Sequence, residues 1–253
     1  IGDTAQLPPV KLKLSPALEE TRLEVEFSKM VHQIELDEVT RQHQNSGILA
    51  NATLLRTLIE NNSIYFEFDL NFPDIIRLED GYDIEDAITG SYENDGVEDT
   101  AIIVRSNKRA NQYNQQIRSQ IRGQENEISP GDYVMVVKNN YFWLKESSEA
   151  GFIANGDTCE VLRIHAIKEL YGFKFAEVDI RMIDYPDQKP FETVLLLDTL
   201  TRETPSLTYE ESNKLYEAVR EDYAHEKSKY KQLLAVKKNV FFNALQVKFS
   251  YAI

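Results

Sequence analysis

The stretch that decides the fold is AIIVRSNKRANQYNQQIR, residues 101–118. It opens on four consecutive apolar residues, Ala101 to Val104, the texture of a strand buried on both faces of a parallel sheet. Ser106 follows as a residue able to cap a helix with its hydroxyl. Ala110, Tyr113, Ile117 and Ile121 then recur at the spacing of one helical face. Strand, loop and helix in that order point to an open α/β sheet, where ligands sit beyond the carboxyl ends of the strands.

Working outward, the charge changes sharply on either side of this run. Residues 79–99 carry nine acids and no base, whereas residues 101–123 carry five bases (Arg105, Lys108, Arg109, Arg118 and Arg122) and no acid. Upstream, residues 17–30 read as a short acidic helix and Val31 to Leu36 alternates as a strand does. Ser46 is placed to cap a helix with Ile48, Ala52, Leu55 and Ile59 on one face. Asp83 is placed to cap another carrying Ile84, Ala87 and Ile88.

Downstream the texture turns to short strands. Pro130-Gly131-Asp132 reads as a turn into Tyr133 to Val137, and Asn155-Gly156 as a hairpin turn between Phe152-Ile153 and Cys159 to Ile164. Ala176, Val178, Ile180 and Met182 alternate with polar residues, and Phe191 to Leu197 follows a turn at 184–187. Four or five strands within about 70 residues predict a small barrel inserted in the α/β domain. Thr208 and Glu211 form a capping-box pattern for a helix turning Leu215, Val219 and Tyr223 inward. A lysine-rich segment, 227–238, leads to a last apolar strand, 249–253.

Composition sets the outer bounds. The chain has 253 residues, 42% hydrophobic and 10% aromatic, enough to bury a core. Its 42 acids against 28 bases give a net charge of −14, which argues against non-specific binding to nucleic acid or membrane but does not forbid a locally basic groove. No apolar run approaches the ~18 residues that span a bilayer. One cysteine, Cys159, excludes an internal disulfide and favours a reducing, cytoplasmic compartment. Four scattered histidines give no metal-ligand spacing. The ends, without an initiator Met and stopping inside an apolar stretch, read as those of a fragment.

The sharpest motif is Gly2-Asp-Thr-Ala-Gln-Leu-Pro-Pro-Val10. Physically it sets a carboxylate, Asp3, and an amide, Gln6, on a loop stiffened by Pro8-Pro9. The amide is suited to donate to a phosphate oxygen or to orient a water. The alternative is a Gly-Asp turn followed by a proline stop.

This string resembles motif III of superfamily 1 DNA helicases of the RecD-like branch, with Ala5 where an acid is often found. Leu36-Asp-Glu-Val-Thr-Arg41-Gln42 resembles the strand opening that family's second motor domain, and residues 101–118 resemble the next element. The turns at 131–132 and 155–157 resemble those of its SH3-like barrel. Asn243 to Ile253 resembles the strand running into motif V. The implied fold is α/β: a RecA-like second motor domain, with a parallel sheet and flanking helices, carrying an SH3-like β-barrel insertion. The implied division is 1–34 for the end of the first motor domain, 35–126 and 205–253 for the second, and 127–204 for the barrel.

The implied function is part of an ATP-dependent helicase moving on single-stranded DNA, akin to an exonuclease V alpha subunit, with nuclease-complex subunits as further partners. ATP and Mg²⁺ would be held mainly by a first motor domain, because this sequence has no Gly-x-x-x-x-Gly-Lys-Ser/Thr loop. The chain alone is therefore expected to lack turnover. In the resemblance, Arg41 approaches the γ-phosphate and Gln6 couples nucleotide state to domain position, supported by Gly2, Asp3 and Gln42. Arg105, Asn107, Lys108, Arg109 and Asn114 are the DNA-binding candidates. Read without the resemblance, Arg41 is a surface residue pairing with Glu35 or Glu38, and the basic stretch is a solvated helix face. Tyr141, Phe142 and Trp143 are either stacking groups for unpaired bases or rim of the barrel. A different class remains open: a non-catalytic module binding a basic protein through residues 79–99.

Overall fold

In the computed structural model, the alternation of apolar and polar residues closes five strands into a barrel. They are β1 (Tyr133–Val136), β2 (Thr158–Leu170), β3 (Phe173–Met182), β4 (Phe191–Leu196) and β5 (Leu245–Phe249). The structure describes every residue except 1, 5, 7, 8, 10, 11, 35, 37–45 and 146. Neighbouring strands run antiparallel from β1 to β4, with Val134 opposite Cys159, Val161 opposite Ile180 and Val178 opposite Thr193. β5 closes the ring, parallel to β4 and antiparallel to β1.

Even-numbered residues of β3, from Ala176 to Met182, face the interior with Val134, Val161, Leu195 and Val247, all essentially without solvent access. The opposite parity builds a second core: Phe173, Phe175, Val194 and Leu196 lie against α5 (Tyr209–Glu221) and α6 (Lys229–Lys238) through Leu215, Val219 and Val236. One sheet thus has apolar residues on both faces here because each face is covered.

The expected parallel sheet with flanking helices is not the architecture. Ala101 to Val104 forms no ladder, only a parallel bridge from Ile102 to Ala252 flanked by two backbone hydrogen bonds to Ile253. Ile103 is 81% exposed, so the run is not buried on both faces. The barrel is also not a self-contained insertion within 127–204. Its fifth strand comes from 245–249, in the segment expected to return to the motor domain. Asn155-Gly156 does turn the chain, with Gly156 at φ +104°, a region costly for side-chain-bearing residues. However, the strand it leads into pairs with β1 rather than with 152–153.

The chain divides into two units, residues 1–84 and 85–253, with α3 (Gly81–Asn94) crossing the boundary. The first unit holds α1 (Glu20–Phe27) and α2 (Gly47–Glu60). No strand occurs over the described part of 31–36. Asp74 anchors the start of α2, accepting from the Gly47 amide at 2.9 Å and the Ser46 hydroxyl at 2.9 Å, where the helix dipole favours a carboxylate. Gly47 is required there: a Cβ would lie 2.6 Å from the Phe72 side chain. Buried Asn51 spans Gly47 and Asp69 through its amide. The face that carries Ile48, Ala52, Leu55 and Ile59 is exposed. Asp80, not Asp83, accepts the first amides of α3, those of Tyr82 and Asp83.

Candidate nucleic-acid interface

Helix α4 (Asn107–Gln116), extended by a π-turn over 117–121, presents the candidate cations. Ser106 holds an extended backbone and its hydroxyl accepts from the Arg109 amide at 3.3 Å, which fixes where the helix begins. Arg105, Asn107, Lys108 and Arg109 are all exposed around that start. None of the three cations is in an ion pair among the described residues, although Arg109 lies 5.9 Å from the Tyr113 ring centroid. Asn107 donates to the Glu203 carbonyl at 3.1 Å, and Asn111 donates to the carbonyls of Thr201 and Arg202. These bonds fasten the helix start to the loop after β4.

The rest of the basic stretch faces inward. Asn114 is buried, donates to the carbonyls of Phe249 and Ala252 at 3.0 Å each, and accepts from the Ala252 amide at 2.7 Å. Its amide is consumed in holding the chain after β5, so it offers nothing to a DNA strand. Arg118 is buried and meets Asp132 in a two-pronged pair, Nε and Nη2 each 2.8 Å from a carboxylate oxygen. Its guanidinium lies 4.2 Å from the Phe249 ring centroid. Asp132 also accepts from the Ser129 amide at 2.7 Å and the Tyr251 hydroxyl at 2.9 Å. Arg122 donates to the Gly131 carbonyl beside the rings of Tyr133 and Tyr251. Burial, with the nearby Asp132 charge, pushes the Tyr251 phenol up from its ordinary value.

A readable signal for this division existed. Asn114 and Arg118 follow Ala110 at steps of four, on the helical row adjoining Ile117. Of five bases in the acid-free run, Arg105, Lys108 and Arg109 remain as a solvent-facing group.

The acidic run 79–99 is partly committed as well. Asp80 and Asp83 bond backbone amides at the start of α3. Glu98 pairs with Arg181 at 2.7 Å and accepts from the Tyr133 hydroxyl, and these bonds hold its carboxyl below the usual value. Tyr133, half-buried and bonded to Glu98, is pushed up to about 12.

In the first unit, Asp3 receives Arg56 on both oxygens, at 3.1 and 2.6 Å. Gln6 is exposed, its amide 3.5 Å from Asp3, and Gly2 lies against Leu18. Arg41 and Gln42 lie outside the described residues. The Asp3 carboxylate is met by the Arg56 guanidinium, and no group of three metal-ligating side chains occurs among the described residues. No helix among them is long and apolar enough to cross a membrane. No family model matches the chain, and no curated protein matches it.

Proposed function

We propose that this chain is part of an ATP-driven motor on single-stranded DNA, to which it contributes nucleic-acid contacts rather than the grip on ATP. The observation that carries the reading is the group of Arg105, Lys108 and Arg109: exposed, unpaired by any described carboxylate, and set at a capped helix start on a chain of net charge −14. Helix N-termini favour phosphate through free amides and the helix dipole, and nearby cations add to that. The resemblance of Gly2 to Val10 to a helicase motif supplies the motor half of the proposal. No hydrolytic step is assigned to this chain, because its sequence carries no Gly-x-x-x-x-Gly-Lys-Ser/Thr loop to hold the phosphates.

The test is binding of a fluorescein-labelled 20-nucleotide single strand, with unlabelled single strand or duplex as competitor and with Mg²⁺-ATP turnover measured in parallel. Single strand should displace the probe well below the duplex concentration needed, and turnover should stay at background with or without DNA. Equal competition by duplex, no binding at low salt, or DNA-stimulated turnover by this chain would contradict the reading.

A further inference from the structure

A cleft of about 730 Å³ lies among the loop after β1, helix α5 and the segment joining α6 to β5. None of its sixteen lining residues is acidic, on a chain with 42 carboxylate side chains. Two lysines, Lys138 and Lys237, line it, and neither is in an ion pair among the described residues. The carbonyls at the end of α6 are occupied as well: Lys237 accepts from the Asn243 amide and Val236 from the Asn239 amide. The negative end of that helix is thereby masked where Lys237 stands.

Exposed aromatic rings supply the other half of the chemistry. Tyr141 is 71% exposed and Tyr209 is 80% exposed. Tyr141 is nonetheless held in place, stacked on Phe152 with ring centroids 4.9 Å apart and planes inclined by 22°. Its hydroxyl accepts from Asn139, whose own oxygen accepts from the Asn155 amide. The ring is backed by Phe152 and largely exposed, which suits it to stack a base. Asn213 lines the same cleft, and its side chain makes no hydrogen bond among the described residues.

We infer that this cleft binds an unpaired nucleotide, its base stacked on Tyr141 and its phosphate met by Lys138 and Lys237. Stacking on an aromatic platform contributes ~1–3 kcal/mol per base and accepts any base. Two unpaired lysines beside it give the salt-dependent phosphate contact. The inference rests on the single-strand reading above only for the source of the nucleotide, a DNA strand rather than a free mononucleotide.

The chain reports on this cleft itself. Its single tryptophan, Trp143, is bonded to the Asn243 carbonyl at 2.8 Å and lies edge-on to Phe142, a cleft residue. Tryptophan emission is titrated with a ten-residue deoxythymidine oligomer and, separately, with thymidine 5′-monophosphate. The oligomer should quench saturably, and Tyr141→Ala should weaken it roughly tenfold. Lys138→Glu with Lys237→Glu should weaken it at least as much and flatten its salt dependence, and Lys231→Glu should leave it unchanged. Lys108→Glu with Arg109→Glu should lower overall affinity yet retain the quench.

If the α4 reversal abolishes strand binding while the cleft variants bind as wild type, the cleft assignment falls and the single-strand reading stands. If the mononucleotide saturates the cleft and the oligomer does not, the cleft stands and that reading falls. Absence of quenching by both probes overturns the inference. Far-ultraviolet dichroism checks each variant's fold.

Discussion

Arg118→Met removes the cation from the buried pair while keeping an unbranched apolar stem against Phe249. Asp132 is then left fully buried with a full charge and two partners, the Ser129 amide and the Tyr251 hydroxyl, in place of four hydrogen bonds. Breaking a buried pair on one side costs about 3–5 kcal/mol, because the remaining charge keeps its desolvation penalty. For a unit the size of residues 85–253, each kcal/mol moves the melting temperature by ~2–4 °C. The expected fall is therefore roughly 6–20 °C. Asp132→Asn in the same background should recover part of it, since no charge is left to neutralise: the amide oxygen keeps the bond from the Ser129 amide, and its NH2 faces the Tyr251 hydroxyl, which can turn to accept. Urea unfolding followed by dichroism measures Arg118→Met, Asp132→Asn alone and the double variant, and the excess of the two single losses over the double loss is the coupling. A cost under ~1 kcal/mol for Arg118→Met, with no coupling, would mean the pair acts like an exposed one. The pair would then not fasten the turn that follows α4 to the start of the barrel.

Three further outcomes are expected. Burial pushes the Cys159 thiol up to about 12, so Ellman's reagent at pH 8 should react only as fast as the protein unfolds; immediate stoichiometric labelling would contradict its place inside the barrel. Thr208→Ala removes the acceptor for the Glu211 amide and should cost about 1 kcal/mol in urea unfolding, a loss below ~0.3 counting against the observed capping box. Asp74 is held below its ordinary carboxyl value, chiefly by the Gly47 amide. Its contribution to α2 is therefore complete above the unfolded value near ~4 and lost as pH falls through the lower folded value. Helical dichroism from pH 6 to 2 should show that acid loss in the wild type and not in Asp74→Asn; parallel curves would contradict it.

The fold was legible where one short-range rule suffices. Ser46, Ser106 and Thr208 each cap the helix that follows, and the alternation from Ala176 to Met182 places the barrel interior correctly. It was not legible where pairing is long-range. Four apolar residues at 101–104 look the same whether they form a central strand or a single bridge, and only the position of 252–253 decides between them. Likewise nothing local tells Leu245–Phe249 to close a barrel with β1 rather than join a parallel sheet. The basic run misled for a related reason. A count of charges ignores helical phase, and phase is what buries Asn114 and Arg118 while leaving Lys108 and Arg109 in solvent.

The central claim, that the start of α4 meets the phosphates of a single strand, is tested most directly by the salt dependence of oligodeoxythymidine affinity. Wild type and Lys108→Glu with Arg109→Glu are compared by fluorescence anisotropy between 50 and 200 mM salt. Each phosphate contact on a single strand contributes a slope of ~0.7 in log affinity against log salt, so losing two should lower it by about 1.4. Weaker binding with that shallower slope, at unchanged thermal stability, is the predicted result. Equal affinity and equal slope in the two proteins would contradict the account.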